Sequence, residues 1–231
     1  MPSWKKGLAV EAARQVVPRV AQAAPSLTQT FVRQALQRAI RGVGPLPPAA
    51  QAAEAQLREQ DGNVDKAIRE VIQNHVLYAS AEGLVTNLGG LVTATIVAPA
   101  NITGLALIQC RMVAGIAHLR GYDLEDPRVR NAILVTLLGK DTVTKMVRKH
   151  ELSAPPMAIA TAPQHDPDLD QAVSSLIAGE LVSRVIGKRL ATTVGKRVPL
   201  VGGAVGAGTD GMSTWRIGRY AGREFLPRAE R

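Results

Sequence analysis

Aromatic side chains are scarce in this sequence: two Trp, three Tyr and two Phe make up 3% of its 231 residues. An interior built from it has to be closed by Ala, Val, Leu, Ile and Gly. No ring platform is present on which nucleic-acid bases could stack, and no nucleic-acid partner is expected. Cysteine occurs once, as Cys110, which excludes a disulfide scaffold and a Cys-rich zinc site. Cys110 itself reads as an inert core thiol. No GxSxG, HExxH or Walker pattern occurs, so no catalytic residue, cofactor or metal is expected and the chain reads as non-enzymatic. The first 25 residues carry charges throughout, so no secretory leader is expected.

What is present is apolar content of 46% and an excess of basic residues, 28 Lys and Arg against 19 Asp and Glu. That much apolar content argues against disorder over most of the chain. The charge is uneven. Residues 1–43 hold seven basic groups and one acid, residues 184–231 hold ten and three, and the stretch between is mildly acidic. Basic ends suit an anionic surface.

Periodicity is helical throughout, and no alternating strand pattern occurs. A helix is expected over 4–23, kinked by Pro18, and a second opens at the Ser26/Gln29 capping pair with Val32, Leu36, Ile40 and Val43 on one face. A short Ala-rich helix over 49–60 stops at Asp61-Gly62. From Asn63 another apolar face runs through Ile68, Val71, Ile72 and Ala79. Asp126-Pro127 marks a further helix start, an N-cap followed by Pro at the first helical position. Residues 151–170, with Pro155, Pro156, Pro163 and Pro167, read as a loop, and helix signals return from about 170 to Phe225. The fold class is all-α, a multi-helix bundle with Gly/Ala-rich, close-packed central helices.

Between Glu82 and Arg111 lie 28 residues without a charge. That exceeds the ~20 needed to span a bilayer. Asn87, Asn101, four Thr, four Gly and Pro99 make it poor membrane-spanning material, and two buried helices, about 83–98 and 100–120, are expected instead. On the second, Leu105, Ile108, Met112, Ile116 and Leu119 form an apolar stripe. Asn101, Gly104, Arg111 and His118 fall on another side.

Three patterns could carry chemistry. Gly206 to Gly211 spells GxGxxG, but too little chain follows for the second strand of a dinucleotide fold. Gly211, Gly218 and Gly222 instead form a small-residue stripe that lets another helix or an acyl chain approach, with Arg216, Arg219 and Arg223 opposite as a membrane-surface face. His165, Asp166, Asp168 and Asp170 match no ligand spacing and read as an acid-dressed helix start. Arg111 and His118, with Asn101, could clamp the acidic head of a lipid.

Leu84-Val-Thr-Asn-Leu-Gly-Gly90, Pro99-Ala-Asn-Ile-Thr-Gly104, the run from Ile116 through Gly121-Tyr122-Asp123 to Arg130, and Lys196-Arg-Val-Pro-Leu-Val-Gly-Gly-Ala-Val-Gly206 followed by Ala221-Gly-Arg-Glu-Phe225 resemble the bacterial EcsC family. The likeness covers about 64–231 apart from 151–170. It implies an all-α, membrane-associated protein and carries no catalytic motif. Residues 1–48 are expected as basic N-terminal helices and 49–231 as the EcsC-like domain. The expected function is binding of a fatty acid or phospholipid. Arg111, His118 and Asn101 would hold the head group, and Leu84, Leu88, Leu91, Ile102, Leu105, Ile108, Met112, Val201 and Val205 the acyl chain. Further expected partners are an anionic membrane surface and a second copy of the chain, with a cytoplasmic location at the inner face of the membrane. The competing expectation is a scaffold for a transporter, working through helix–helix contacts.

Overall fold

A computed structural model describes residues 25–44, 46–88, 98–194 and 199–228. Among them are nine helices and no strand: α1 Pro25–Arg41, α2 Ala49–Glu59, α3 Val64–Leu88, α4 Ala98–Leu119, α5 Pro127–Thr136, α6 Lys140–Arg148, α7 Pro156–Ala160, α8 Pro167–Val194 and α9 Pro199–Glu224. The expected helix over 4–23 lies outside the described residues.

The ends follow local chemistry. Asn63 Oδ1 accepts from the Lys66 amide at 2.9 Å and opens α3. Asp126 Oδ1 accepts from the Arg128 amide at 2.9 Å, with Pro127 at the first turn of α5, as the sequence predicts. Gly121, at φ +83°, closes α4 in a left-handed conformation that a side chain would resist.

Helix α4 is the axis of the bundle. Its residues 112–117 are all buried, and α1, α2, α3, α5 and α9 pack around it. Helix α8 packs against α1 and α5, where Arg33 Nε donates to Ser174 Oγ at 2.9 Å. One core joins Val32 and Leu36 of α1 to Val71, Met112, Ile133, Ile177 and Phe225.

Two segments differ from expectation. Helix α3 runs unbroken from Val64 to Leu88, where the sequence predicts a separate helix over about 83–98. Ser80 and Gly83 are weak helix formers, costing up to ~1 kcal/mol each, and packing of α3 along α9 outweighs that. Residues 151–170 are not a free loop. Leu152, Pro156, Ile159 and Ala160 are buried, and Pro155 and Pro156 start α7, which lies on α5. Proline disfavours a helix interior but suits its first turn.

The most extensive contact is between α3 and α9, and the glycine stripe makes it. Gly222 faces Ile68, Gly218 faces Ile72, and Gly211 faces Val76 and Ser80, so the two helices run antiparallel. A Cβ at Gly218 would lie 2.9 Å from Ile72 Cγ1 and 3.0 Å from Met112 Sδ. At Gly222 the nearest neighbour is Ile68 Cγ2 at 3.8 Å, and at Gly211 the obstacle is the Ser80 hydroxyl, which can rotate away. Alanine scanning by urea denaturation should therefore rank the three. Gly222→Ala raises stability by about 0.5–1 kcal/mol through helix propensity. Gly211→Ala changes it by less than about 0.5 kcal/mol, the same gain set against the Ser80 rotation. Gly218→Ala lowers it by about 1 kcal/mol or more, because β-branched Ile72 cannot turn aside. Equal effects at all three positions would contradict the close approach at Gly218.

Candidate functional site

Helices α3 and α4 pack on each other. Gly115 faces Val71 of α3, with Ala53 and the Ala49 carbonyl of α2 close by. One turn further along, four residues before Gly115 and four after Val71, Arg111 and His75 stand at the same level. His75 is 9% exposed. Its Nδ1 lies 2.7 Å from the Val71 carbonyl, which only accepts, so Nδ1 carries the proton. Nε2 is then a bare acceptor, buried and without a hydrogen-bond partner. Burial holds His75 down to about 4, well below the ordinary histidine value, and the nearby Arg111 charge lowers it further.

Arg111 is half-buried, and among the described residues it has no ion pair and no hydrogen bond. Burial lowers its pKa from the ordinary arginine value, and the Tyr78 phenol acts in the opposite sense. Tyr78 follows Val71 by seven residues and so continues the face that buries Val71, yet it is 57% exposed. Solvent therefore reaches this layer of the bundle at Tyr78. The Tyr78 ring meets the His75 ring edge-on, centroids 5.9 Å apart. Leu77 beside it is 65% exposed, and the antiparallel register brings the exposed Met212 and Trp215 of α9 to the same level of the α3–α9 pair. Arg216, Arg219 and Arg223 are exposed on α9, and the Arg219 guanidinium sits 5.7 Å from the centre of the Trp215 ring.

Of the expected head-group residues, His118 lies two turns from Arg111 and pairs with Glu54 of α2 at 2.9 Å. Asn101 is in α4, but its side chain lies outside the described set. The groups that act on Arg111 or are acted on by it are His75 and Tyr78, and the sequence carries a signal for His75: it falls at i+4 from Val71 and i+7 from Ile68. Of the expected acyl-chain residues, Leu105 and Ile108 are partly buried, and Met112 is fully buried against Gly218 as part of the core. Leu84, Leu88, Ile102, Val201 and Val205 sit on helices with side chains outside the described set, and Leu91 lies outside it altogether.

The remaining patterns resolve into structure. The GxGxxG run lies within the continuous helix α9. Asp166 Oδ1 accepts from the Asp168 amide at 3.0 Å, which caps α8. Asp170 accepts from Asn131 at 2.6 Å and pairs with His165 at 2.9 Å, beside a cleft of about 210 Å³ between α5 and α7. Burial pushes the Cys110 thiol up to about 12, which makes it inert. No helix among the described residues is long and apolar enough to cross a membrane.

A family model, the EcsC protein family, matches residues 2–229. The match takes in the first sixty residues and the 151–170 segment, which the resemblance read from the sequence left out. No curated protein and no solved structure matches the chain. The chain belongs to the EcsC family.

Proposed function

From an EcsC-family chain with an open, basic shoulder on its α3–α4–α9 layer, we propose a non-enzymatic lipid-binding protein held peripherally at the inner face of a membrane. The observation that carries this reading is Arg111. A half-buried guanidinium without a carboxylate is a standing cost unless an anion completes it. The surface beside it is apolar and aromatic, with Leu77, Tyr78, Met212 and Trp215 exposed at one level. An acidic lipid offers both parts, a charged head for Arg111 and a tail for that surface. The exposed Arg216, Arg219 and Arg223, with Trp215, suit the headgroup layer of an anionic leaflet. The scaffold alternative has less to work with, because Gly211, Gly218 and Gly222 are already occupied by α3.

Protein purified without detergent and extracted with organic solvent should release a fatty acid or phospholipid in stoichiometric amount by mass spectrometry. Arg111→Ala should reduce its affinity about tenfold or more, the loss expected for a charge-assisted hydrogen bond. His118→Ala should not, since Glu54 holds that ring. A lipid-free protein that takes up neither fatty acid nor phospholipid would end the proposal.

A further inference from the structure

Arg111, His75 and Tyr78, at one level of the α3–α4 pair, offer two kinds of hydrogen-bonding group to a ligand bound there. Arg111 and the Tyr78 hydroxyl donate. His75 Nε2, its ring fixed by the Nδ1–H bond to the Val71 carbonyl, only accepts. A carboxylate has acceptors alone and would set its lone pairs against Nε2. A phosphate monoester carrying one proton has acceptors for Arg111 and Tyr78 and an O–H for Nε2. We infer that Arg111, Tyr78 and His75 form a site for a singly protonated phosphate monoester. The inference rests on the reading of Arg111 as an anion's seat, and it replaces a fatty acid by a phosphate ester as the class of ligand. A lipid whose head is a bare phosphate and a soluble phosphate ester present this same chemistry.

Tyr78 packs edge-to-face on the His75 ring and is itself exposed, so it is the neighbour of His75 that can move without disturbing the core. The charged group acting on His75 from α4 is Arg111, and Tyr78 stands on its own helix. Among the described residues no charged group of α2 or α9 acts on it. In the complex one proton is shared between the phosphate oxygen and Nε2, so binding takes up a proton above the phosphate's second ionisation near pH 6.

Isothermal titration with dioctanoyl phosphatidic acid, inorganic phosphate and octanoate, at pH 6 and pH 8, tests this. The phosphatidic acid is expected to bind roughly fifty-fold more tightly at pH 6 than at pH 8, following the population of its monoanion. Octanoate is expected to bind more weakly than the phosphatidic acid, with no such gain. His75→Leu should abolish the pH dependence. Tyr78→Phe, a surface change that leaves folding intact, should weaken phosphate binding several-fold and keep the pH dependence. Binding of inorganic phosphate that also follows its own monoanion, several-fold tighter at pH 6 than at pH 8 because its second ionisation lies nearer to about 7, and as tight as that of the lipid, would support the site and remove the lipid reading. Equal, pH-independent binding of octanoate and phosphatidic acid would overturn the phosphate site and leave the lipid reading standing. Absence of binding by all three would overturn both.

Discussion

Truncating Phe225 to alanine should remove about 3–5 kcal/mol of folding stability. For a domain whose total is ~5–15 kcal/mol, that is a large fraction. Phe225 follows the last turn of α9 and is fully buried. Its ring meets Tyr122 edge-to-face, centroids 5.2 Å apart at 81°, an arrangement that adds about 0.5–1.5 kcal/mol to simple burial. The Arg228 guanidinium sits over the same Tyr122 ring at 5.3 Å, and the Arg228 amide donates to the Arg120 carbonyl at 3.0 Å. The end of α9 is thus clamped onto the turn between α4 and α5. Loss of the ring opens a cavity beneath that turn and loosens the helix carrying Arg216, Arg219 and Arg223. Urea denaturation should show a lowered midpoint, with Phe225→Leu much milder at about 1 kcal/mol. A loss below about 1 kcal/mol for alanine would mean that the end of α9 contributes nothing to the core.

Acidification should destabilise the protein between pH 6.5 and about 4, by about 3 kcal/mol in all. The cause is His75, held near 4 by burial. A base whose native pKa lies below its unfolded value binds a proton first in the unfolded chain. Stability is therefore full above 6.5, falls as the unfolded state takes up the proton, and levels once the native imidazole also titrates near 4. Asp126, kept below the usual carboxylate range by its hydrogen bonds from Arg128, acts in the same sense but at lower pH, so the two windows separate. His75→Leu should flatten the pH 6.5–4 limb and leave the lower one. If thermal melts of that variant keep the upper limb, another group is responsible for it.

The helices most legible from sequence were those with local punctuation. Asp126-Pro127 announced α5, Asp61-Gly62 the end of α2, and the i, i+3, i+4 pattern of Ile68, Val71 and Ile72 the buried face of α3. The glycine stripe was legible as a close approach, though not its partner, because nothing local ties Gly218 to Ile72 far along the chain. Distance along the chain also hides the Glu54–His118 pair. Proline-rich residues 151–170 misled because proline signals a helix start as well as a break, and the buried Ile159 decides between the two. The candidate site was half legible. Arg111 stands out as the charge that ends an uncharged run, whereas His75 shares the apolar register of α3 and looks from sequence like any core histidine.

The pairing of α3 with α9 also sets an order of events on the ribosome. Roughly 150 residues separate the partners, and at ~5–20 residues per second their synthesis takes on the order of ten seconds. Through that interval the strip of α3 made by Ile68, Ile72 and Val76 has emerged without the glycines that will cover it. The nascent chain is thus sticky along one defined line for a defined time. Emergence of α9 is the step that ends this exposure.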